Sequence, residues 1–578
     1  MATIRSPHNP LMTASALTLR RRELLTYEQL PADLPPVLRR LYAARGVLPQ
    51  QLSLDLAQLL PPTELKGVDA ASRLLADAIG AQRRIVIAGD YDCDGATGCA
   101  VAVLGLSALG AKRVGYAVPD RFKMGYGLSP LLAEMIHADG GEVLVTVDNG
   151  IASVAGVARA KALGMTVIVT DHHLPGEQLP AADAIVNPNQ PGCGFASKAL
   201  AGVGVMFYLL LALRQQLRAR CVLVKEPHLA SLLDLVALGT VADLAKLDHN
   251  NRILVEQGLR RIRAGRAQPG VQALLMVGGR EAANLNAADF GFVLGPRLNA
   301  AGRLEDMRAG IDCLLAPTLE AALPLARALD ALNRERRALT TQMSEQAFDI
   351  TADTLAVGIC AFDESWHEGI VGLVASRLKD AHHRPAIAFA RASEAGLLKG
   401  SARSIAGLNV RDALVLVDAR HPGLIHRYGG HAMAAGLTID EASLGTFTGA
   451  FDRVCRELLP PAALERCLHT DGELPGSELL LPTARLLEQS GPWGQGFEEP
   501  VFEGQFTVAA LRLMGSEQQH VRYELTSADG VRAEAVHFGG AETAAPAGTE
   551  VQIAYQLGVN RYNGSERMQL RVLMLAAT

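Results

Sequence analysis

The sequence predicts an α/β chain in three folded parts. These are a parallel-sheet domain, a smaller α/β domain joined to it by a long helix, and a small C-terminal β-barrel. Three observations predict it. Short apolar, β-branched runs alternate with helical segments over residues 84–170, the pattern of a parallel sheet covered on both faces. A second α/β cycle opens near residue 355, after a polar helical run. Beyond Pro460 and Pro461, five short strand patterns alternate with turn signals. At 578 residues the chain is also too long for one compact domain.

Taken in order, residues 1–50 carry several prolines and little periodicity, and read as an N-terminal arm. The parallel-sheet domain is assigned to 51–318. In it a helix over 68–79 leads to strand 84–88, helix 96–109 and strand 114–118, then strand 143–147, helix 152–163 and strand 166–170. Residues 199–263 read as mostly helical, and 296–304 as a loop rich in glycine, asparagine and arginine. A connecting helix is placed at 319–350, the second α/β domain at 351–460 and the barrel at 461–578. Barrel strands are expected at 506–511, 521–526, 531–538, 551–557 and 568–573, with turns at Asp529-Gly530 and Asn563-Gly564. An antiparallel arrangement is expected. No internal repeat is visible.

Composition excludes several classes. Hydrophobic residues at 49% and charged residues at 20% rule out a disordered, collagen-like or coiled-coil chain. A net charge of −5 excludes a uniformly basic nucleic-acid coat protein, so any nucleic-acid binding must come from a local basic cleft. Aromatics at 4% argue against long stacking platforms. No stretch reaches the roughly 20 apolar residues of a membrane span. The N-terminus lacks the charge-then-apolar order of a secretory signal. Eight cysteines without CxxC spacing fit a reducing cytoplasm and exclude a zinc ribbon.

The chemistry starts at Gly89-Asp90-Tyr91-Asp92-Cys93-Asp94-Gly95, directly after an apolar strand. Open α/β sheets place their ligands at the C-terminal ends of strands. Three carboxylates at alternate positions repel one another, and a divalent cation such as Mg²⁺ or Mn²⁺ removes that repulsion. A solvated Asp-rich turn is the alternative. An EF-hand is excluded, because the glycine comes too soon and no glutamate occupies loop position twelve. The arrangement recurs at two more strand ends, Asp148-Asn149-Gly150 and Asp171-His172-His173, and Asp243 after an apolar helix is a fourth acidic candidate.

These segments resemble the DHH phosphoesterase superfamily, named for the triplet at 171–173. Nine segments occur in family order: 89–97, 119–128, 146–151, 170–173, 239–243, 294–303, 366–372, 400–404 and 429–436. The pattern is most similar to the bacterial single-strand-specific 5′→3′ DNA exonucleases of that superfamily, over residues 50–578. The resemblance implies two-metal hydrolysis of phosphodiesters in single-stranded DNA, with Mn²⁺ or Mg²⁺, in DNA repair and recombination. It implies Asp148 as the ligand bridging two ions. Asp92 with Asp90 would hold the first, and Asp94, His172 and Asp243 the second. His173 would be a phosphate contact or proton donor. Related pyrophosphatases place a histidine where this chain has Ala88, which argues against that activity. The family also implies a single-strand-binding protein and a RecQ-type helicase as partners; a monomer is expected.

Substrate grip is expected from arginines, whose planar fork suits phosphate. Arg297 and Arg303 flank Asn299 in the expected glycine-rich loop with Gly295 and Gly302, and Arg121 is a third candidate. Ordinary surface arginines are the alternative. Tyr126 is read as either a base-stacking or a packing residue. The second α/β unit resembles the DHHA1 domain, where Gly429, Gly430, His431 and Gly436 read as a phosphate-wrapping turn. Ser401, Arg403 and His431 would hold the DNA 5′ end. The barrel resembles an OB-fold, with Arg522, Arg532, Arg561 and Tyr562 as strand contacts. Two other readings compete. A short-oligonucleotide or cyclic-dinucleotide phosphodiesterase usually lacks the terminal barrel. A non-catalytic replication scaffold has no reason to keep clustered carboxylates.

Overall fold

The computed structural model describes residues 17–120, 124–223, 225–352, 354–562 and 564–577. The chain forms two compact units. The first comprises Leu24–Asn333 and Pro482–Pro500; the second comprises Arg334–Leu481 and Val501–Thr578 with the described residues before Leu24.

In the first unit, β1 (Ile85–Gly89), β2 (Val114–Ala117), β3 (Val143–Val147), β4 (Thr166–Thr170) and β5 (Ala184–Val186) form a sheet in the order β2-β1-β3-β4-β5. Every pair is parallel. Each face of the sheet has its own apolar layer, which is why β1 and β3 read as unbroken apolar runs. Ile85, Ile87, Val143, Val145 and Ile168 pack with the helices Val68–Gly80, Cys93–Ala108 and Gly202–Ala219. Val86, Ala88, Leu144, Val167 and Val169 pack with Pro130–Ala138 and Val154–Ala162. The register aligns Gly89, Val147 and Thr170, so the residues that follow them emerge side by side at one sheet edge. The chain reverses direction across the sheet between β1 and β3, where such folds open a ligand crevice.

Three features depart from the sequence reading. The N-terminal arm holds a helix, Pro36–Ala44, which buries Leu38 and Leu41. The short strand β5 adds an edge to the sheet. Residues 296–304, expected as a loop, form the helix Gly295–Leu304 after a π-helical turn at Phe290–Leu294. Pro296 is tolerated in the first turn, where its missing N–H is not needed, and Leu298, Ala300 and Ala301 are buried. The returning segment Pro482–Pro500 docks through aromatic rings. Phe497 stacks on Tyr42 and on Trp493, at centroid distances of 6.5 and 5.1 Å, and the Arg252 guanidinium lies 3.9 Å from its ring.

The helix Leu319–Thr351 belongs to the second unit from Arg334 onward. There β6 (Ile359–Phe362), β7 (Ala386–Arg391), β8 (Leu397–Arg403), β9 (Arg427–Gly430) and β10 (Ala434–Asp440) form a sheet in the order β9-β10-β8-β7-β6. Only β6 and β7 are parallel. Five further strands close a barrel: β11 (Phe502–Met514), β12 (His520–Ser527), β13 (Arg532–His537), β14 (Glu550–Tyr562) and β15 (Ser565–Ala577). It is not wholly antiparallel as expected. The chain skips from β13 to β14 on the far side, and β15 returns parallel to β13 to close the sheet. No helix among the described residues is long and apolar enough to cross a membrane.

Candidate metal centre

The loop after β1 is held from three sides. Asp92 caps the helix Cys93–Ala108 by accepting the Gly95 N–H at 3.0 Å, and Asn299 accepts the Cys93 N–H at 2.7 Å. The helix Gly295–Leu304 presses against the Tyr91 carbonyl: a Cβ on Gly302 would stand 1.9 Å from that oxygen. Gly302 is therefore needed for a close approach to protein backbone. Asp94 lies buried in the first turn of its helix. Its two oxygens accept the N–H groups of Gly202 and Val203, at 2.6 and 2.9 Å, where another helix begins.

Asp148 follows β3 with a left-handed backbone, φ 62°. Its carbonyl accepts the Tyr126 hydroxyl at 3.0 Å. The neighbouring Asn149 ties the strand ends together, donating to Ala88 O at 3.0 Å and Val147 O at 2.9 Å. Asp171, after β4, turns away from the cation groupings. It accepts N–H groups from Ile151, His172 and His173, and lies 2.7 Å from His173 Nδ1. Asn189 and Asn187 hold the carbonyls of His172 and His173 at 2.6 and 2.9 Å. Sequence reasoning missed this supporting set; the Asn187-Pro188-Asn189 turn just past β5 was its one visible signal.

The sheet edge thus brings Asp90, Asp92, Asp94, Asp148, His172, His173 and Asp243 together. Ligand atoms lie within 4.8 Å of one another in three sets: Asp90, Asp92 and Asp148; Asp94, His172 and Asp243; Asp148, His172 and His173. His172 Nε2 stands 3.0 Å from Asp148 Oδ1, 3.8 Å from Asp243 and 3.9 Å from Asp94. Burial, then the charge of Asp92, pushes Asp94 up to about 7. Burial and the surrounding carboxylates hold Asp148 and Asp243 well above the usual range. Asp171 is the exception. Burial raises it, but its bonds to His173 and to backbone N–H groups outweigh burial and leave it lowered. Burial in turn lowers His173, and Asp171 more than restores it, leaving it raised. Oxygen donors with one imidazole, crowded beyond what water can neutralise, fit Mn²⁺ or Mg²⁺.

The expected substrate residues fare differently. Arg121 lies outside the described residues. Arg297 is 7% exposed and pairs with Asp330 through Nε at 2.9 Å and Nη2 at 2.8 Å, while Nη1 donates to Val293 O. Its guanidinium is a buried clamp, so the phosphate role is withdrawn. Asn299 caps the carboxylate loop, and Arg303 is half-buried in the last turn of the same helix. In the second unit Ser401 and Arg403 lie on one face of β8, and Arg403 donates to Ser401 Oγ at 3.0 Å. Gly429 and Gly430 form no turn; they lie on β9, paired with Gly436 and Ala435 of β10. The turn itself is His431–Met433, closed by the His431 N–H on Ala434 O at 2.8 Å, with the His431 side chain exposed. In the barrel Arg522 is bonded to Glu534 and Arg561 to Glu566, while Tyr562 is exposed.

A parallel sheet whose strand ends gather aspartates and the Asp-His-His triplet defines a phosphoesterase-type domain, and comparison agrees. The family model described as DHH family, N-terminal domain, matches residues 84–240; DHHA1 domain matches 353–457, and RecJ OB domain matches 470–573. The chain is 48% identical over 571 residues to the single-stranded-DNA-specific exonuclease RecJ of Dickeya dadantii, covering 96% of this chain and 99% of that one. It is 47% identical to that of Escherichia coli, covering 96% and 98%. The crystal structure of RecJ in complex with Mn²⁺ from Thermus thermophilus superposes with a TM-score of 0.81 at 31% identity, covering 97% of this chain and 79% of that one. The chain belongs to the RecJ family.

Proposed function

We propose that this chain is a metal-dependent exonuclease that degrades single-stranded DNA from the 5′ end. The observation that carries the reading is the overlap of the three ligand sets at Asp148 and His172. The near full-length identity to curated RecJ exonucleases supports the substrate. Asp90, Asp92 and Asp148 would hold one divalent cation, and Asp94, His172 and Asp243 the other, with Asp148 shared. When bound, the cations neutralise phosphate charge and lower the pKa of a water. Asp171 fixes the His173 ring by its Nδ1 and so orients it as a phosphate contact or proton donor. Arg303, Ser401, Arg403, Gly429, Gly430 and His431 are assigned to the strand and its terminal phosphate.

Domain limits are set at 51–318, 351–460 and 461–578, with 319–350 as the connecting helix. Scattered free thiols suit the cytoplasm. A single-strand-binding protein and a RecQ-type helicase are proposed partners of a monomeric enzyme acting in repair and recombination. The deciding assay compares linear and circular single strands of one sequence, labelled at either end, with and without Mn²⁺. Release from the 5′ label first, and resistance of the circle, is the expected result. Rapid cutting of the circle, or 3′ label released first, overturns the polarity. No metal-dependent cutting of either overturns the enzyme.

A further inference from the structure

We infer that Phe292 is a base-stacking residue, which fixes how the first unit grips the sugar-base side of a single strand; this rests on the exonuclease reading. The π-helical turn Phe290–Leu294 turns Phe290, Val293 and Leu294 inward and leaves Phe292 76% exposed. π-turns interrupt an α-helix at an energetic cost and concentrate at functional sites. This turn is packed on the end of the helix that delivers Asp243. A Cβ on Gly295 would stand 3.0 Å from Ala242 Cβ, and one on Gly291 3.8 Å from Val241 Cγ1. Immediately past Asp243, Leu244 adopts a left-handed backbone, φ 58°, and is 69% exposed. Two large apolar side chains are thus held out to solvent, Leu244 on a strained backbone next to Asp243 in the chain and Phe292 on a turn packed against the helix that ends there.

The occupant follows from the chemistry around them. A single strand whose phosphodiester lies at the carboxylate cluster carries unpaired bases beside it, and their stacking on an apolar face is favourable. Any base has a π-face, so an aromatic ring serves every sequence. Among the described residues of the first unit, the exposed large aromatics are Tyr126 and Phe292. The Tyr126 ring is already engaged with Tyr91 and His173, at centroid distances of 6.1 and 5.8 Å, and its hydroxyl donates to the Asp148 carbonyl. Phe292 is the exposed ring left to lie against a base.

The test compares full-length wild type, Phe292→Ala and Phe292→Trp on a natural single strand and on strands carrying one abasic residue at successive positions from the 5′ end. Phe292→Ala is expected to raise KM on the natural strand on the order of 10-fold, with kcat changed far less. Phe292→Trp should restore it. At one abasic position wild type should rise to the level of the alanine variant, and the substitution should add nothing further. An equal loss on natural and abasic strands at every position, or no loss at all, overturns the stacking role. Wild type and Asp148→Ala run alongside: a wild type without metal-dependent activity sinks the exonuclease reading itself, whereas an active wild type with indifferent Phe292 sinks only the stacking.

Discussion

Asp148 combines a left-handed backbone with burial among carboxylates, two costs that a stable fold ordinarily avoids. Asp148→Ala should abolish cleavage while leaving the melting temperature of the metal-free protein close to wild type, because relief of crowding among buried carboxylates is opposed by the poorer fit of alanine to a left-handed backbone; near-normal cleavage at saturating Mn²⁺ would refute the shared-ligand reading. The two arginines of the helix Gly295–Leu304 should separate just as cleanly. Arg297→Ala removes the guanidinium that Asp330 and the Val293 carbonyl share, a loss on the order of 3 kcal/mol, visible in denaturant unfolding and not in the salt dependence of DNA binding. Arg303→Ala should instead weaken single-strand binding and lower the slope of log affinity against log salt by roughly 0.7. An unchanged slope would make Arg303 an ordinary structural residue.

At the scale of elements, the helix Gly295–Leu304 acts as a brace for the carboxylate loop, through Asn299 on Cys93 and Gly302 on Tyr91. Gly302→Ala should push Tyr91 and Asp92 off their positions and weaken Mn²⁺ binding by about 10-fold or more, read by calorimetric titration. This helix also shows where the sequence stopped being legible. Strands β1, β3 and β4 were plain because burial on both faces leaves an unbroken apolar run, and the aspartates at their ends followed from strand position alone. Gly295, Pro296, Asn299 and Gly302 have the composition of a loop, and only the tertiary approach to Tyr91 makes glycine suit a helix there. Gly429 and Gly430 failed in the same way: strand pairing, which is non-local, decided them. Asp171 was visible as a residue but not as an orienting group, because its partners come from backbone that only folding brings near.

For the molecule as a whole, the metal centre couples stability to pH. Asp94 rises from a carboxylate's usual 3.8 to about 7 on folding. Between those values the native state binds more protons than the unfolded one, so without metal this group's contribution to stability falls as pH rises, and levels off above about 7. The lowered Asp171 acts the other way, but only at and below the ordinary carboxylate range, outside this window. The melting temperature of the metal-free wild type, measured from pH 4.5 to 8, should fall relative to Asp94→Asn, and Mn²⁺ should close the gap; parallel curves would contradict the raised Asp94. The docked segment Pro482–Pro500 bears on synthesis. Phe497 and Trp493 reach the ribosome exit only after the whole of Arg334–Leu481 has been made. At about 5–20 residues per second, that delay is on the order of 10 s. Throughout it the nascent first unit waits with Tyr42 and Arg252 lacking the rings that cover them. A nuclease assembled in this order matures late, so a polypeptide terminated early in the second unit leaves the ribosome without its last packing piece.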